Sequence, residues 1–600
     1  MATPVAAVVL ALSLMHVWKR VYGRSREGRP GREELMKLVV VGGVAGGASA
    51  AARVRRLDAH ARIVVLERGE HVSFSNCSLP YHLGGVVPNS DSLVLMTPEK
   101  FKRQHDIEVR VRSEAIAIDR EAKTVRVRDL TTGGEYDEPY DKLVLSPGAA
   151  PIVPPIPGAD ADNVFTVRNV TDIRALKSYV DRDDVRSVCV VGGGFVGIEV
   201  AENLVRAGKR VAVVEGRDQI LQPFDYDMVQ TLHKELDDNG VELRVSTTVT
   251  SIEKGLVRAT GPAGEVEVAA DAVVMAVGVA PETKLAADAG LAIGQTRGIE
   301  VDANWRTSDP DIYAVGDAVQ TYDALAHRPS RLALAGPAQR EARAAADHMY
   351  GMADRNRGFI GSSCIQVFSQ NAACTGLSER AAREAGYECD SVLVYPSDKV
   401  GLMPDSNYLG FKLVYEVPTG KLLGAQAIGV GNAVQRVDVV AALLGMGGTL
   451  EDLRDCELCY SPVYGTAKDV VNFAAMVALN IVGGRFRQVH VDEVRGLVEK
   501  GAYIVDVREP DEYAAGHLNG AHNVPLSQLA ERMGEIPRDV PVYLHCRSSQ
   551  RSYYAVCRLQ GMGWRNVTNI SGSYLGISLY EYFNDKAMGR EPIMDAYNFD

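Results

Sequence analysis

The sequence predicts an α/β chain with two Rossmann-like nucleotide-binding domains, followed by an α+β unit and a smaller C-terminal α/β unit. Three observations predict it. Two glycine-rich loops, residues 42–47 and 192–197, each follow a short apolar strand and open a helix. Each of these units ends on a second apolar strand with a terminal acid, Glu67 or Glu215. A third strand-to-helix turn, around Cys546, lies far beyond both.

At 600 residues the chain exceeds one hydrophobic core and suggests three or four domains. A formal charge of −12 argues against nucleic-acid binding. Nine cysteines with no framework spacing predict free thiols in a reducing compartment, the cytoplasm. Cys456 and Cys459 form a C-x-x-C without a second pair, so no metal site is expected. Residues 1–35 form an apolar stretch followed by arginines and lysines. The stretch is too short for a comfortable membrane span, and is read as a disordered extension or at most a loose tether. No strong membrane association is expected.

The strand at 38–41 runs into Gly42, Gly43, Val44, Ala45, Gly46 and Gly47, then a helix through Leu57 and a strand ending in Glu67 and Arg68. Glycines there let backbone N–H groups approach a pyrophosphate at the helix N-terminus, and Glu67 can accept from a ribose. Val44 stands where the fingerprint has its second glycine. The second loop is complete, with Gly192, Gly194 and Gly197, and Glu215 favours an unphosphorylated ribose. Arg210 and Arg217 keep NADPH open beside NADH. Strands ending at Gly148 and at Gly278 mark the crossings between the two domains. Ile312 to Asp317 and Ala318 is a strand ending in Gly-Asp, whose carboxylate suits a ribityl chain, with a following helix expected to face the phosphate.

Between the first unit and the second stands Ser73-Phe74-Ser75-Asn76-Cys77-Ser78-Leu79-Pro80-Tyr81. A cysteine one connection beyond a dinucleotide loop is a redox position. The next cysteine along the chain is Cys189, so no neighbouring thiol partners it. Arg53 and Arg56 share a face of the first helix and can pair with a phosphate-bearing ligand.

Residues 36–480 resemble the pyridine nucleotide-disulfide oxidoreductases that use one active-site cysteine, and among them the coenzyme A-disulfide reductases. The first loop, Val44 included, and the run Ser73 to Cys77 carry the likeness; Ser78 departs from it, since glycine is usual there. The resemblance implies FAD at the first loop, NADH or NADPH at the second, and coenzyme A held by Ser49, Arg53, Arg56, Ser73, Asn76 and Gln339. It implies a homodimer whose segment 460–469 enters the partner's active site. Tyr460 would then lie near flavin and cysteine, Tyr464 would donate a proton, and Lys468 would meet the coenzyme A phosphates.

The C-terminal unit, with Val505 to Tyr513, Gly516 to Pro525 and the loop after His545, resembles the rhodanese fold. Cys546 is expected in a cradle of backbone N–H groups beside Arg547 and Arg551, which stabilise a thiolate and its persulfide. Cys557 reads as the buried inert cysteine of the unit. Ser552 stands where a phosphatase of similar build needs arginine, which favours sulfur transfer.

The domains expected are the extension 1–35; an FAD-binding domain, 36–150 with 278–350; an NAD(P)-binding domain, 151–277; a dimerisation domain, 351–485; and a rhodanese domain with a C-terminal tail, 488–600. The activity expected is NAD(P)H-dependent reduction of coenzyme A disulfide, or of its persulfide or polysulfide, through a mixed disulfide at Cys77. Two readings compete: an NADH oxidase or peroxidase cycling through sulfenic acid at Cys77, and a redox-sensing binding module.

Overall fold

The computed structural model describes residues 35–353 and 356–599, so the expected extension lies outside the described residues apart from Leu35. Apolar runs of Val, Ile and Leu form the central strands of three parallel sheets. In the first, the strands lie in the order Ile312–Ala314, Lys142–Leu145, Lys37–Val41, Arg62–Leu66 and Glu108–Arg110. In the second the order is Glu242–Arg244, Arg210–Val214, Ser187–Val191, Ala272–Met275 and Val164–Phe165. Strands Lys37–Val41 and Ser187–Val191 sit at the centre of their sheets, which explains why they read as continuous apolar runs. Each of their buried Val and Leu side chains contributes about 1.5–3 kcal/mol.

The chain leaves the first sheet through Ala149–Pro151 and returns through Val279–Pro281. These two segments pair antiparallel, at the crossings expected from Gly148 and Gly278. A three-stranded antiparallel sheet accompanies each of these first two parallel sheets. Residues 362–429 supply a five-stranded antiparallel sheet, in which Leu409–Glu416 and Leu422–Gly429 pair, backed by helix Ala433–Leu444. The C-terminal unit is a parallel five-stranded sheet with Val542–His545 beside Tyr503–Asp506.

The C-terminal unit is not a bead on a linker. Helix Ser573–Met588 packs on helix Tyr226–Asp238 of the second nucleotide unit. His233 meets Phe583 edge-on at 4.8 Å, and Tyr226 donates to Asn584 Oδ1 at 2.7 Å. Gln488 donates to Ser391 O at 2.7 Å, and His490 Nε2 lies 3.1 Å from Asp390 Oδ1, tying the unit to the antiparallel sheet as well. At the join between that sheet and the second nucleotide unit, Lys412 is buried against Asp227 at 2.8 Å, Glu379 at 3.0 Å and Asp225 at 3.4 Å. Three carboxylates around one ammonium keep the cation charged despite burial. Among the described residues no helix is long and apolar enough to cross a membrane, and no cluster of His, Cys, Asp or Glu could hold a metal ion.

Candidate functional site

The first loop folds as its glycines dictate. Gly42 sits at φ +92°, and a Cβ there would lie 2.1 Å from Ser146 O. A Cβ at Gly47 would lie 1.8 Å from Gly42 O, so only glycine lets helix Ala45–Leu57 approach its strand this closely. Val44 precedes that helix at φ −102°, outside the left-handed region, so glycine's freedom is not required there. Gly43 N donates to Glu67 Oε2 at 2.9 Å and Gly69 N to Glu67 Oε1 at 2.8 Å, which fixes the carboxylate at the rim of a cavity of 1090 Å³. Gly42, Val44, Ala45, Gly46, Arg68 and Asp317 line the same cavity. Arg68 is also ion-paired with Glu282, and Ala318 is buried behind the wall. The size, the glycine cradle and the rim carboxylate fit a flavin dinucleotide.

One expectation fails here. No helix follows Asp317; the chain turns, and Val319 and Gln320 donate to Gly316 O and Ile299 O. Those N–H groups are consumed by the turn and by an adjoining bridge. The next helix along the chain, Ala335–Met349, reaches the cavity from its first turn through Ala338. Its Glu341 is 1% exposed and accepts from Gly316 N at 2.5 Å. Burial pushes the Glu341 carboxyl up to about 7, and burial raises Asp317 while Arg168 opposes it.

The second loop repeats the geometry. Gly192 is at φ +110°, and a Cβ at Gly197 would fall 2.0 Å from Gly192 O. A Cβ at Gly194 would meet nothing within 4 Å, so the fold itself leaves that position open. Glu215 Oε2 accepts from Gly193 N at 2.6 Å and Oε1 from Arg217 N at 2.9 Å. Arg210 and Arg217 are exposed. Gly278, at φ +118°, places its carbonyl 2.9 Å from Ile152 N at the crossing.

The run around Cys77 is stitched to the first loop. Ser73, at φ +48°, donates its N–H to Gly43 O at 2.9 Å. Residues Asn76–Ser78 form one 3₁₀ turn that continues as helix Leu79–Leu83, with Ser75 and Ser78 hydroxyls 2.7 Å apart. Cys77 is solvent-exposed. Burial of its sulfur pushes the thiol up, and the Glu199 and Asp317 carboxylates add to that. Tyr81, four residues on, donates to Glu199 Oε1 at 3.4 Å. Burial raises Glu199 to about 7 and Tyr81 to about 12. Glu199 lies on helix Phe195–Arg206 of the second nucleotide unit, so its effect on Cys77 depends on how the two nucleotide units meet.

A second cavity, of 520 Å³, lies on the other side of Ser73. Ser49, Arg53, Arg56, Ser73 and Gln339 line it, five of the six residues expected to hold the phosphate-bearing ligand. Asn76 does not: it lines the larger cavity, and its buried Oδ1 has no partner. The 3₁₀ turn rotates it away from Ser73. Arg53 Nε is engaged by Asp347 Oδ1 at 2.6 Å, whereas Arg56 is exposed. Arg340, Arg343 and His105 line the cavity too, and sequence reasoning missed them. The i, i+4 spacing of Gln339 and Arg343 on one helix was a usable signal for Arg343.

Tyr460, Tyr464 and Lys468 are all exposed, on a turn held by Arg436, which donates to Tyr464 O and Asp469 Oδ2 at 3.1 Å each. No interaction in this chain links them to Cys77 among the described residues. Just before them, Cys456 is half-buried and Cys459 exposed.

In the C-terminal unit Cys546 is 1% exposed, at the end of strand Val542–His545 and before helix Gln550–Gly561. The sequence contrast is reversed here: Cys557 is the less buried of the two, because it falls on a helix face only partly covered. Arg551 is paired with Glu512 through two bonds of 2.6 Å. Arg547 is buried, donates one bond to Asn598 O at 2.9 Å, and leaves Nε and Nη2 without partners. Beneath the loop Arg508 and Asp506 form a buried pair at 2.6 Å, with the Arg508 guanidinium 3.9 Å from the Tyr574 ring centroid.

Comparison with known proteins gives three family matches: pyridine nucleotide-disulphide oxidoreductase over residues 36–342, the dimerisation domain of the same class over 363–469, and a rhodanese-like domain over 490–579. A coenzyme A disulfide reductase of Staphylococcus aureus (strain JH9) is 32% identical over 437 residues, covering 73% of this chain and 98% of that protein. The reduced CoADR-RHD of Bacillus anthracis superposes with a TM-score of 0.88 at 39% identity, over 93% of this chain and 100% of that one. A NAD-dependent persulfide reductase from A. fulgidus superposes with a TM-score of 0.86 at 33% identity, over 91% and 100%.

Proposed function

The chain belongs to the pyridine nucleotide-disulphide oxidoreductase family, and we propose that it uses NADH or NADPH to reduce coenzyme A disulfide, or coenzyme A persulfide and polysulfide, through Cys77. One observation carries this reading. The residues just before Cys77 line two cavities: Phe74 and Asn76 line the dinucleotide cavity and Ser73 the basic one, and the exposed Cys77 follows directly. A thiol next to both can accept electrons from one and meet a sulfur held in the other.

Residues 36–150 and 278–350 would hold FAD, and 151–277 the nicotinamide nucleotide, with Glu215 favouring NADH. When bound, the flavin supplies the relay of electrons from nicotinamide to sulfur. The protein's part is to place the thiol. The Cys77 thiolate attacks one sulfur of the substrate disulfide, the S–S bond breaks, one thiol leaves, and coenzyme A remains joined to Cys77 as a mixed disulfide. Arg56, with Arg343 and Arg340, offers cations to the phosphates, while Arg53 is oriented by Asp347. The exposed Tyr460, Tyr464 and Lys468 belong to the surface that a second copy would cover, and residues 351–485 would form the homodimer. All nine cysteines, each among the described residues, are unpaired, which suits the cytoplasm.

The rhodanese-like match and the solved persulfide reductase favour a sulfane-sulfur substrate, with Cys546 accepting or releasing sulfur for Cys77. The test is nicotinamide oxidation against coenzyme A disulfide, coenzyme A persulfide, inorganic polysulfide and glutathione persulfide, with sulfide measured. Cys77→Ser abolishes turnover with all of them. Cys546→Ser lowers sulfide release from polysulfide but leaves coenzyme A disulfide reduction intact; unchanged polysulfide turnover would remove the coupling.

A further inference from the structure

Cys546 lies between two helix N-termini, only one of which the sequence announces. Helix Gln550–Gly561 begins just after it, and helix Ser573–Met588 comes up from behind. The second helix grips the loop through its first free N–H groups: Tyr574 N donates to Cys546 O at 3.0 Å and Leu575 N to Arg547 O at 3.1 Å.

Its first residue, Ser573, is fully buried and held at φ +50°, directly after Gly572 at +73°. A serine in the left-handed region is strained, and such strain persists only where surroundings over-determine it. Here they do. Ser573 Oγ accepts from Cys546 N at 3.2 Å and lies 3.1 Å from Ser549 Oγ, 3.3 Å from Ile570 O and 4.0 Å from Cys546 Sγ. Ser552 Oγ approaches the same sulfur at 3.6 Å. Ser549 is also left-handed, at φ +74°, and its hydroxyl donates to Ile570 O at 3.1 Å.

A hydroxyl has one proton. With a neutral thiol, the Ser573 proton goes to Ile570 O. Ser549 holds that carbonyl independently, so the Ser573 proton can turn to the sulfur without orphaning a buried acceptor. Its lone pair keeps the Cys546 N–H throughout.

We infer that Ser573 is a positioning residue of the sulfur-transfer site, whose hydroxyl fixes the Cys546 backbone and turns its proton onto Sγ when that sulfur is anionic. The inference rests on the proposal that Cys546 carries sulfane sulfur. In that step the Cys546 thiolate attacks the outer sulfur of a persulfide R–S–SH. The Cys546 S–S bond forms, the R–S bond to the outer sulfur breaks, and R–S⁻ leaves with the electron pair and takes the outer sulfur's proton as R–SH, so Cys546 is left as a persulfide anion; no outside oxidant is needed. Charge-assisted donation to sulfur favours the thiolate before the step and holds the persulfide anion after it.

The test uses the full-length flavoprotein, with inorganic polysulfide as the probe. Glycine accepts φ +50°, so Ser573→Gly removes the hydroxymethyl group and relieves the strain; Ser573→Ala removes the hydroxyl alone and keeps the strain. Cyanolysable sulfur at Cys546 is followed over time, and the rate of Cys546 alkylation is followed against pH. Both variants are expected to alkylate along a profile displaced to higher pH and to lose bound sulfur roughly tenfold faster. Wild-type profiles in both variants, with only the melting temperature moved, overturn the inference and leave sulfur transfer standing. A wild-type protein that takes no cyanolysable sulfur at Cys546, matching Cys546→Ser, overturns the sulfur-transfer proposal and this inference with it.

Discussion

Tyr81 Oη donates to Glu199 Oε1 at 3.4 Å, joining the helix that continues from Cys77 to the helix that opens at the second glycine loop. The contact brings a carboxyl of the second nucleotide unit toward a thiol of the first. Burial is the main reason the Cys77 thiol is pushed up, and the Glu199 charge adds to it.

Removing that charge favours the thiolate. Glu199→Gln is therefore expected to move the pH profile of Cys77 alkylation to lower pH, read in the oxidised protein without substrate. Tyr81→Phe should do the opposite, because it takes a donor from the Glu199 carboxylate without removing its charge or its burial. Superimposable profiles for all three proteins would show that Glu199 does not act on the sulfur.

Glu341 sets a second pH dependence, on stability. Its carboxyl titrates near 4.5 when exposed to water and near 7 when buried in the fold. Between those values the folded chain holds a proton that the unfolded chain has lost. Stability from this group is thus complete below about 4.5 and lost as pH rises through about 7. The full effect is on the order of 3 kcal/mol. Urea unfolding of the flavin-free protein at pH 5 and pH 8 should show it, and Glu341→Gln should flatten it while keeping an acceptor for Gly316 N.

The two glycine loops separate folding from binding. At Gly42 a Cβ would sit 2.1 Å from Ser146 O with φ +92°, so Gly42→Ala should yield protein with little flavin, read as absorbance per chain. At Gly194 the fold has room for a Cβ. Gly194→Ala is expected to fold with normal flavin content and to raise KM for NADH by about tenfold, because only the approach of a pyrophosphate demands glycine there.

The basic cavity predicts a charge effect remote from the sulfur. Arg56→Glu and Arg343→Glu should each raise KM for coenzyme A disulfide by roughly tenfold with kcat little changed, and the loss should shrink for a substrate without phosphates. Arg53→Ala differs, since it also removes the 2.6 Å partner of Asp347 and leaves it only Arg343 at 3.7 Å, and should lower the melting temperature as well.

Much of this fold was legible because strand, glycine loop, helix and terminal acid are local features. Lys37–Val41, Gly42 and Glu67 announce one another within thirty-one residues, and Ser187–Val191 with Glu215 repeats the pattern. What stayed hidden was long-range. Arg53 reads as a free cation until Asp347 arrives from a helix 294 positions away. The family resemblance groups Asn76 with Ser73, and the 3₁₀ turn puts it on the other cavity. Asp317 invited a helix that local hydrogen bonds to Gly316 and Ile299 prevent. Ser573 carries no sequence signal as a neighbour of Cys546, because 27 residues and a strand separate them.

If the proposed function holds, the sulfur paired with Cys77 arrives on the substrate. Intact-protein and peptide mass spectrometry of the oxidised enzyme, incubated anaerobically with coenzyme A disulfide and no nicotinamide, puts this to the test. The expected result is one coenzyme A per chain, on the peptide holding Cys77, released by dithiothreitol and absent in Cys77→Ser. A chain that instead carries sulfenic acid at Cys77, or a disulfide from Cys77 to another of its own cysteines, with no coenzyme A bound, would contradict it.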